Sequence, residues 1–219
     1  MSLIELYCEA FTETLASKES AAGEGGASAL IGAIGMVLCA MVGNATVGRR
    51  KYAKSETAAD ADVEEMLEKG KKLRDWLLEL VEEDAKAFET LAQALTISED
   101  DPRRARFMEY ALTKVCTTPL EMMRCCGCAL ELLSELIVRE RSVPVSDIGV
   151  GAACCKAALV GASMNIYINS ASLMDRETAK SMENTADMLL GKYAPIADKI
   201  SEEVMRRIRS GGITNATII

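Results

Sequence analysis

Hydrophobic positions recur along this chain at intervals of three and four residues, the spacing that aligns side chains on one face of an α-helix. Residues 3–17 set Leu3, Ile4, Tyr7, Cys8, Phe11 and Leu15 on one face and Glu5, Glu9 and Glu13 on the other, which predicts a short amphipathic first helix. A longer pattern over residues 58–94 brings Val63, Met66, Leu67, Leu73, Leu77, Leu80, Val81 and Phe88 into register, and its charged remainder reads as a solvated face. A third amphipathic stretch, 103–139, follows the start signal Glu99-Asp100-Asp101-Pro102. Pro119 lies inside it and predicts a kink or break, because proline removes one backbone bond and crowds the preceding turn. A fourth runs from 175 to 210. No strand pattern of any strength is present.

Two segments depart from this rhythm. Residues 27–47 are dominated by Ala, Leu, Ile, Met and Val, with Gly32, Gly35 and Gly43 among them. Each glycine costs about 1 kcal/mol relative to alanine in a helix interior. Three of them predict places where another helix backbone comes very close, and hence a central, fully surrounded helix. The stretch GVGAACCKAALVGASMNIYIN after Ser146-Asp147 has the same small-residue character, with Ser146 or Asp147 placed to cap it. The expected fold is all-α and a single domain over 1–219. It is a helical array with two small-residue inner helices surrounded by longer amphipathic helices, and no sheet.

The uncharged run 25–48 is long enough to cross a bilayer, for which roughly 20 residues suffice. It lacks a Trp or Tyr belt, has few bulky lipid-facing residues and has no second uncharged stretch of comparable length, so no membrane role is expected. The acidic first twenty residues do not resemble an export signal. The net charge of −8 argues against nucleic acid as the principal partner. No histidine is present, which removes the usual neutral-pH base and every His-ligated metal site, so no metal is expected and proton transfer falls to Lys, Asp, Glu, Tyr or water. The eight cysteines read as reduced, buried apolar residues of a cytoplasmic protein. One CxxC, Cys125 to Cys128, would matter only if Cys154 and Cys155 met it in space.

The segments AAGEGGASALIGAIG, MVGNATVGRRKY, EEDAKAF, TTPLEMMRCC and SDIGVGAACCKAALVGASMNIYIN, in this order and with the trailing Asp175, resemble the formiminotetrahydrofolate cyclodeaminase and methenyltetrahydrofolate cyclohydrolase family. The similarity extends over about residues 4–200. It implies an all-α homodimer that binds a tetrahydrofolate derivative, with no cofactor beyond that substrate, and works on its one-carbon bridge. Lys51 matches the family's basic motif, and crowding by Arg49, Arg50 and Lys54 favours a neutral lysine or a bound anion there. Asp147 and Ser146 match its SD-G motif, and Asp84 a further position, so Lys51, Asp147 and Asp84 are the candidate catalytic residues. Gly23, Gly25, Gly26, Arg49, Arg50, Tyr52, Ser146, Asn165 and Asn169 are the candidate substrate-binding ones. Surface solvation for Lys51 and Asp84, and helix capping for Asp147, are the rival readings.

Geometry constrains this set. From Gly25 to Lys51 is about 39 Å in a helix, and from Asp147 to Asn169 about 33 Å, at 1.5 Å per residue. If the two inner helices run antiparallel, Lys51 approaches Asp147 and the glycine loop approaches Asn169, and a two-fold dimer would unite the half-sites. The glycine loop departs from the family's usual Pro-Gly-Gly-Gly-Ser by reading Ala22-Gly23-Glu24-Gly25-Gly26, and Glu24 would repel an anionic tail. The expected activity is hydrolysis of 5,10-methenyltetrahydrofolate to 10-formyltetrahydrofolate. Formiminotetrahydrofolate cyclodeamination, with a separately encoded formiminotransferase, is the alternative, and a non-catalytic dimeric folate-binding or scaffold protein a third.

Overall fold

The computed structural model describes residues 8–17, 23–52, 58–139 and 145–210, with the side chains of 8, 9, 24, 46–52 and 58–61 outside the described set. Six helices account for nearly all of it: α1 Cys8–Ala16, α2 Glu24–Tyr52, α3 Ala58–Leu95, α4 Arg104–Arg139, α5 Ser146–Ser170 and α6 Arg176–Arg209. No strand occurs among the described residues. The 3.6-residue periodicity thus gives the all-α fold, and the patterns over 58–94, 103–139 and 175–210 become helices within a residue or two of their expected bounds, while the start of the first pattern, residues 3–7, lies outside the described residues.

Successive long helices alternate in direction. On α2 and α3, Gly43 packs on Leu67, Gly70 on Met36 and Gly25 on Asp84, a decreasing register that makes the pair antiparallel. Cys125 donates to the Leu73 carbonyl oxygen, and Arg139 pairs with Asp62, which turns α4 back along α3. α5 returns along α4 and α2, and α6 along α5, where Lys156 pairs with Asp198 and Tyr167 bonds Asp187.

The closest helix contact is between α2 and α5. Gly35 and Gly151 face one another so tightly that a β-carbon on either would lie 2.8–2.9 Å from the other's carbonyl oxygen. The glycine cost in helix propensity is offset here by backbone proximity that no larger residue allows.

Three expectations are corrected. First, α2 is not fully surrounded: Ile31, Ile34, Val37 and Met41 are 39–51% exposed, and Val150, Met164 and Ile168 of α5 are 52–68% exposed. The most enclosed helix is α4, which touches α2, α3, α5 and α6 and buries Cys116, Met122, Met123, Cys125, Cys126, Leu130 and Leu133 completely. Second, of the kink or break expected at Pro119 the break does not occur: α4 runs continuously through the buried proline, because packing on several sides holds the turn despite the lost backbone bond. Third, α5 is entered through Val145 with no side-chain cap, and Ser146 and Asp147 sit in its first turn. α5, which carries Asp147 and Lys156, joins α2 in being long and apolar enough to cross a membrane by length and composition alone, with 44% and 56% of the respective windows buried inside the bundle.

The corner between α5 and α6 is firmly tied. Asp175 caps α6 by accepting from the Glu177 and Thr178 amides, and Glu109 of α4 accepts from the Met174 and Asp175 amides at 2.8 and 2.9 Å. Arg176 donates to the Ser170 carbonyl, satisfying the open C-terminal end of α5.

Candidate functional site

The glycine segment does not form a loop ahead of a helix: Gly25 and Gly26 are the buried first turn of α2, and Gly23 precedes it in open space. Glycine is required at position 25 by what lies against it. A β-carbon there would stand 2.2 Å from Asp84 Oδ1 and 2.5 Å from Asp84 Cγ, so the Asp84 carboxylate rests directly on the N-terminal turn of α2. Amides at a helix start carry partial positive charge, which favours a carboxylate in that place. Asp84 is 8% exposed, on the buried side of α3 with Val81 and Ala85, while its neighbours Glu82, Glu83 and Lys86 are charged. A solvated surface acid is therefore excluded for it.

α5 supplies the other wall. Ser28 presses on Gly161, whose added β-carbon would be 2.4 Å from Ser28 Oγ. Gly32 faces Ala158 and Gly35 faces Gly151. This antiparallel register carries Asn165 one helical turn beyond Gly161, toward the start of α2. Asn165 is buried, and Asn169 donates through Nδ2 to the Asn165 carbonyl at 2.8 Å and to its Oδ1 at 3.1 Å. The two asparagines thus partner each other. The α3/α4 register, read from Leu73–Cys125 and Asp62–Arg139, sets residues 114–118 of α4, just before Pro119, opposite Asp84.

Gly25, Gly26, Asp84, Asn165 and Asn169 are accordingly brought to one end of the bundle. Ser146 and Asp147, both half-buried, lie at the other end. The backbone of Arg49, Arg50, Lys51 and Tyr52 forms the last turns of α2 at that second end, and their side chains lie outside the described residues. Carrying the α2/α5 register on from Gly35–Gly151 places Asp147 opposite residues 39–43, so the Lys51 backbone stands about 12–18 Å further along α2. Glu24 begins α2, and its side chain is likewise outside the described set.

Sequence reasoning did not single out the Ser28–Gly161 contact. Its signal was present: Ser28 is a hydroxyl in a run of apolar residues, but only the α5 register shows what it meets. The described cysteines hold no site. Among the described residues no group of metal-ligating side chains forms, and no disulfide is made. Burial pushes the thiols of Cys39 and Cys125 up to about 12 and Cys116 up to about 11, the opposite of what a reactive thiolate needs.

The formiminotransferase-cyclodeaminase family model matches residues 7–188. A methenyltetrahydrofolate cyclohydrolase of Methylorubrum extorquens is 32% identical over 91% of this chain and 96% of its own length. The formimidoyltransferase-cyclodeaminase of Sus scrofa is 28% identical over 80% of the chain, which spans only 32% of that longer protein. The crystal structure of formiminotetrahydrofolate cyclodeaminase from Thermotoga maritima superposes with a TM-score of 0.78 over 94% of this chain and 99% of that one, at 19% identity, and shares its fold. Matched over most of its length by this family, with the glycine turn, the buried Asp84 and the paired asparagines gathered at one end of a helical bundle, the chain belongs to the formiminotransferase-cyclodeaminase family.

Proposed function

We propose that this protein is a folate-dependent one-carbon enzyme that hydrolyses 5,10-methenyltetrahydrofolate to 10-formyltetrahydrofolate in the cytoplasm as a homodimer. The observation that carries the reading is the cyclohydrolase relative, which is similar along nearly its whole length rather than in one part of a larger protein. The chemistry needs little. Water adds to the cationic methenyl carbon between two nitrogens, one proton leaves, and one carbon–nitrogen bond then opens to the formyl amide. Asp84 on the α2 N-terminus is the best-placed described group to orient that water and take its proton. The Gly25–Gly26 turn and the Asn165–Asn169 pair bring further polar groups to the same end of the bundle, where the substrate would be held. No further cofactor and no metal enter this scheme.

The homodimer reading is supported by the exposed apolar faces of α2 and α5. An isologous contact between two such faces would remove them from water. A two-fold axis across the helices would also carry the basic C-terminal end of one α2, with Lys51, toward the Asp84 end of its partner. Lys51 then assists proton transfer from the opposite subunit, and Asp147 assists at that same end.

Cyclodeamination is the second reading, favoured by the similarity to longer formimidoyltransferase-cyclodeaminases. It would call on a formiminotransferase made separately. The altered glycine turn with Glu24 is what supports a non-catalytic folate-binding protein instead. The test follows loss of methenyltetrahydrofolate absorbance for the wild type and Asp84→Asn. Turnover that falls at least about a hundredfold in the variant supports hydrolysis at this site. Ammonia release from the formimino compound without hydrolysis moves the assignment to deamination, and binding without turnover moves it to the scaffold.

A further inference from the structure

α3 and α4 part on their outer side to leave an open cleft of about 410 Å³, lined by Lys69, Lys72, Leu73, Trp76, Cys128, Glu131, Leu132 and Glu135. That volume lies in the range of about 300–1,000 Å³ typical of small-molecule sites. No lining residue comes from α2 or α5, so pairing through those helices leaves the cleft open. It is also separate from the Asp84 site, which begins eight residues further along α3, about 12 Å away in helical rise, and faces inward.

Its walls are arranged for an aromatic body. Trp76, the one tryptophan of the chain, is 42% exposed, and Leu73 and Leu132 complete an apolar floor. Most charges around this floor are already answered. Lys69 pairs with Glu65 at 2.8 Å and also feels Glu135, and Glu131 pairs with Lys192 of α6 at 2.9 Å. Lys72 makes no ion pair among the described residues. It stands one helical turn before Trp76, on the same face of α3.

We propose that this cleft is a second binding site, for a planar aromatic carboxylate whose ring lies on Trp76 and whose carboxylate meets the Lys72 ammonium. An indole offers a broad face for offset ring stacking, and the Lys72 ammonium one turn away is the cation of the cleft with no ion pair among the described residues, whereas the Glu135 carboxylate on the α4 wall acts on Lys69. The proposal stands independently of the folate reading.

Because Trp76 is unique, its fluorescence reports on the cleft alone. The intact protein is titrated with 4-biphenylcarboxylate, with the uncharged 4-biphenylcarboxamide and with 4-biphenylmethylamine, and far-UV circular dichroism checks the fold of each variant. A saturable change in Trp76 emission is expected with the carboxylate, about tenfold weaker with the amide and with Lys72→Met. Cys128→Phe, which fills the cleft from α4, should abolish the response. No saturable change with the carboxylate overturns the site. Equal binding by the amide or by Lys72→Met, or tighter binding of the amine, overturns the ligand class.

Discussion

Single atoms decide the behaviour of the candidate site. Because an added β-carbon at position 25 would overlap the Asp84 carboxylate, Gly25→Ala forces either the helix start or the aspartate to move. Overpacking of this kind costs about 1–3 kcal/mol. The expected result is a lowered urea midpoint together with a loss of turnover out of proportion to it. Gly127→Ala provides the contrast, since its β-carbon would lie 2.3 Å from Tyr193 Cε2, beneath a buried ring remote from Asp84. A similar stability loss with turnover per folded molecule preserved would show that the effect at Gly25 is local to the chemistry. The sequence could point to Asp84 only through a motif match. Its burial and its seat on α2 come from α3 folding back on α2, which no local pattern encodes.

Among the elements, α2 and α5 carry the most unusual load. Their inner faces meet through Gly35 and Gly151, and their outer faces remain apolar and exposed. Val37→Lys places a charge at the middle of that outer face without touching the core, because Val37 is 49% exposed. It should convert the proposed dimer to monomers in sedimentation equilibrium while helix content is kept. A variant that stays dimeric would move the interface elsewhere. Gly35→Ala acts on the opposite face, against backbone that cannot rotate aside, and should lower stability by about 1–3 kcal/mol. The small-residue composition announced close helix packing correctly. It did not distinguish packing on one side from packing all round, since the same residues suit a core and a subunit interface.

For the molecule as a whole, the distance along α2 sets the terms. Lys51 and the Asp84 end are separated by about 39 Å of helix, so a shared site requires two chains. Chains with Asp84→Asn and chains with Lys51→Ala, each inactive alone, should recover about a quarter of wild-type activity when unfolded and refolded as an equal mixture. Half the dimers are then mixed, and each mixed dimer holds one intact site of two. No recovery would place Lys51 outside the partner's site. A second global property follows from the buried thiols. Cys39, Cys116 and Cys125 ionise in the folded protein only at about 11–12, whereas an unfolded cysteine does so near 8.5. Between these values the unfolded chain loses protons that the native one keeps, so stability falls as pH rises from about 9 to 12, by about 1.4 kcal/mol per pH unit for each such thiol. Urea midpoints across that range check the slope. At neutral pH a thiol reagent should label Cys128 and Cys154 rapidly and the five buried thiols Cys39, Cys116, Cys125, Cys126 and Cys155 only on unfolding.

The sequence by itself determined the helices, the bounds of the three long amphipathic ones and the family, because periodicity, glycine content and motif order are properties of neighbouring residues. It also separated the two ends of the inner helices, since helical rise is fixed per residue. Tertiary structure alone decided which helix is enclosed, where Pro119 is tolerated, what each described glycine touches, and that Asp84 is buried against a helix start. Those outcomes depend on the register between antiparallel helices, and register is set by the fit of many side chains at once rather than by any segment taken singly.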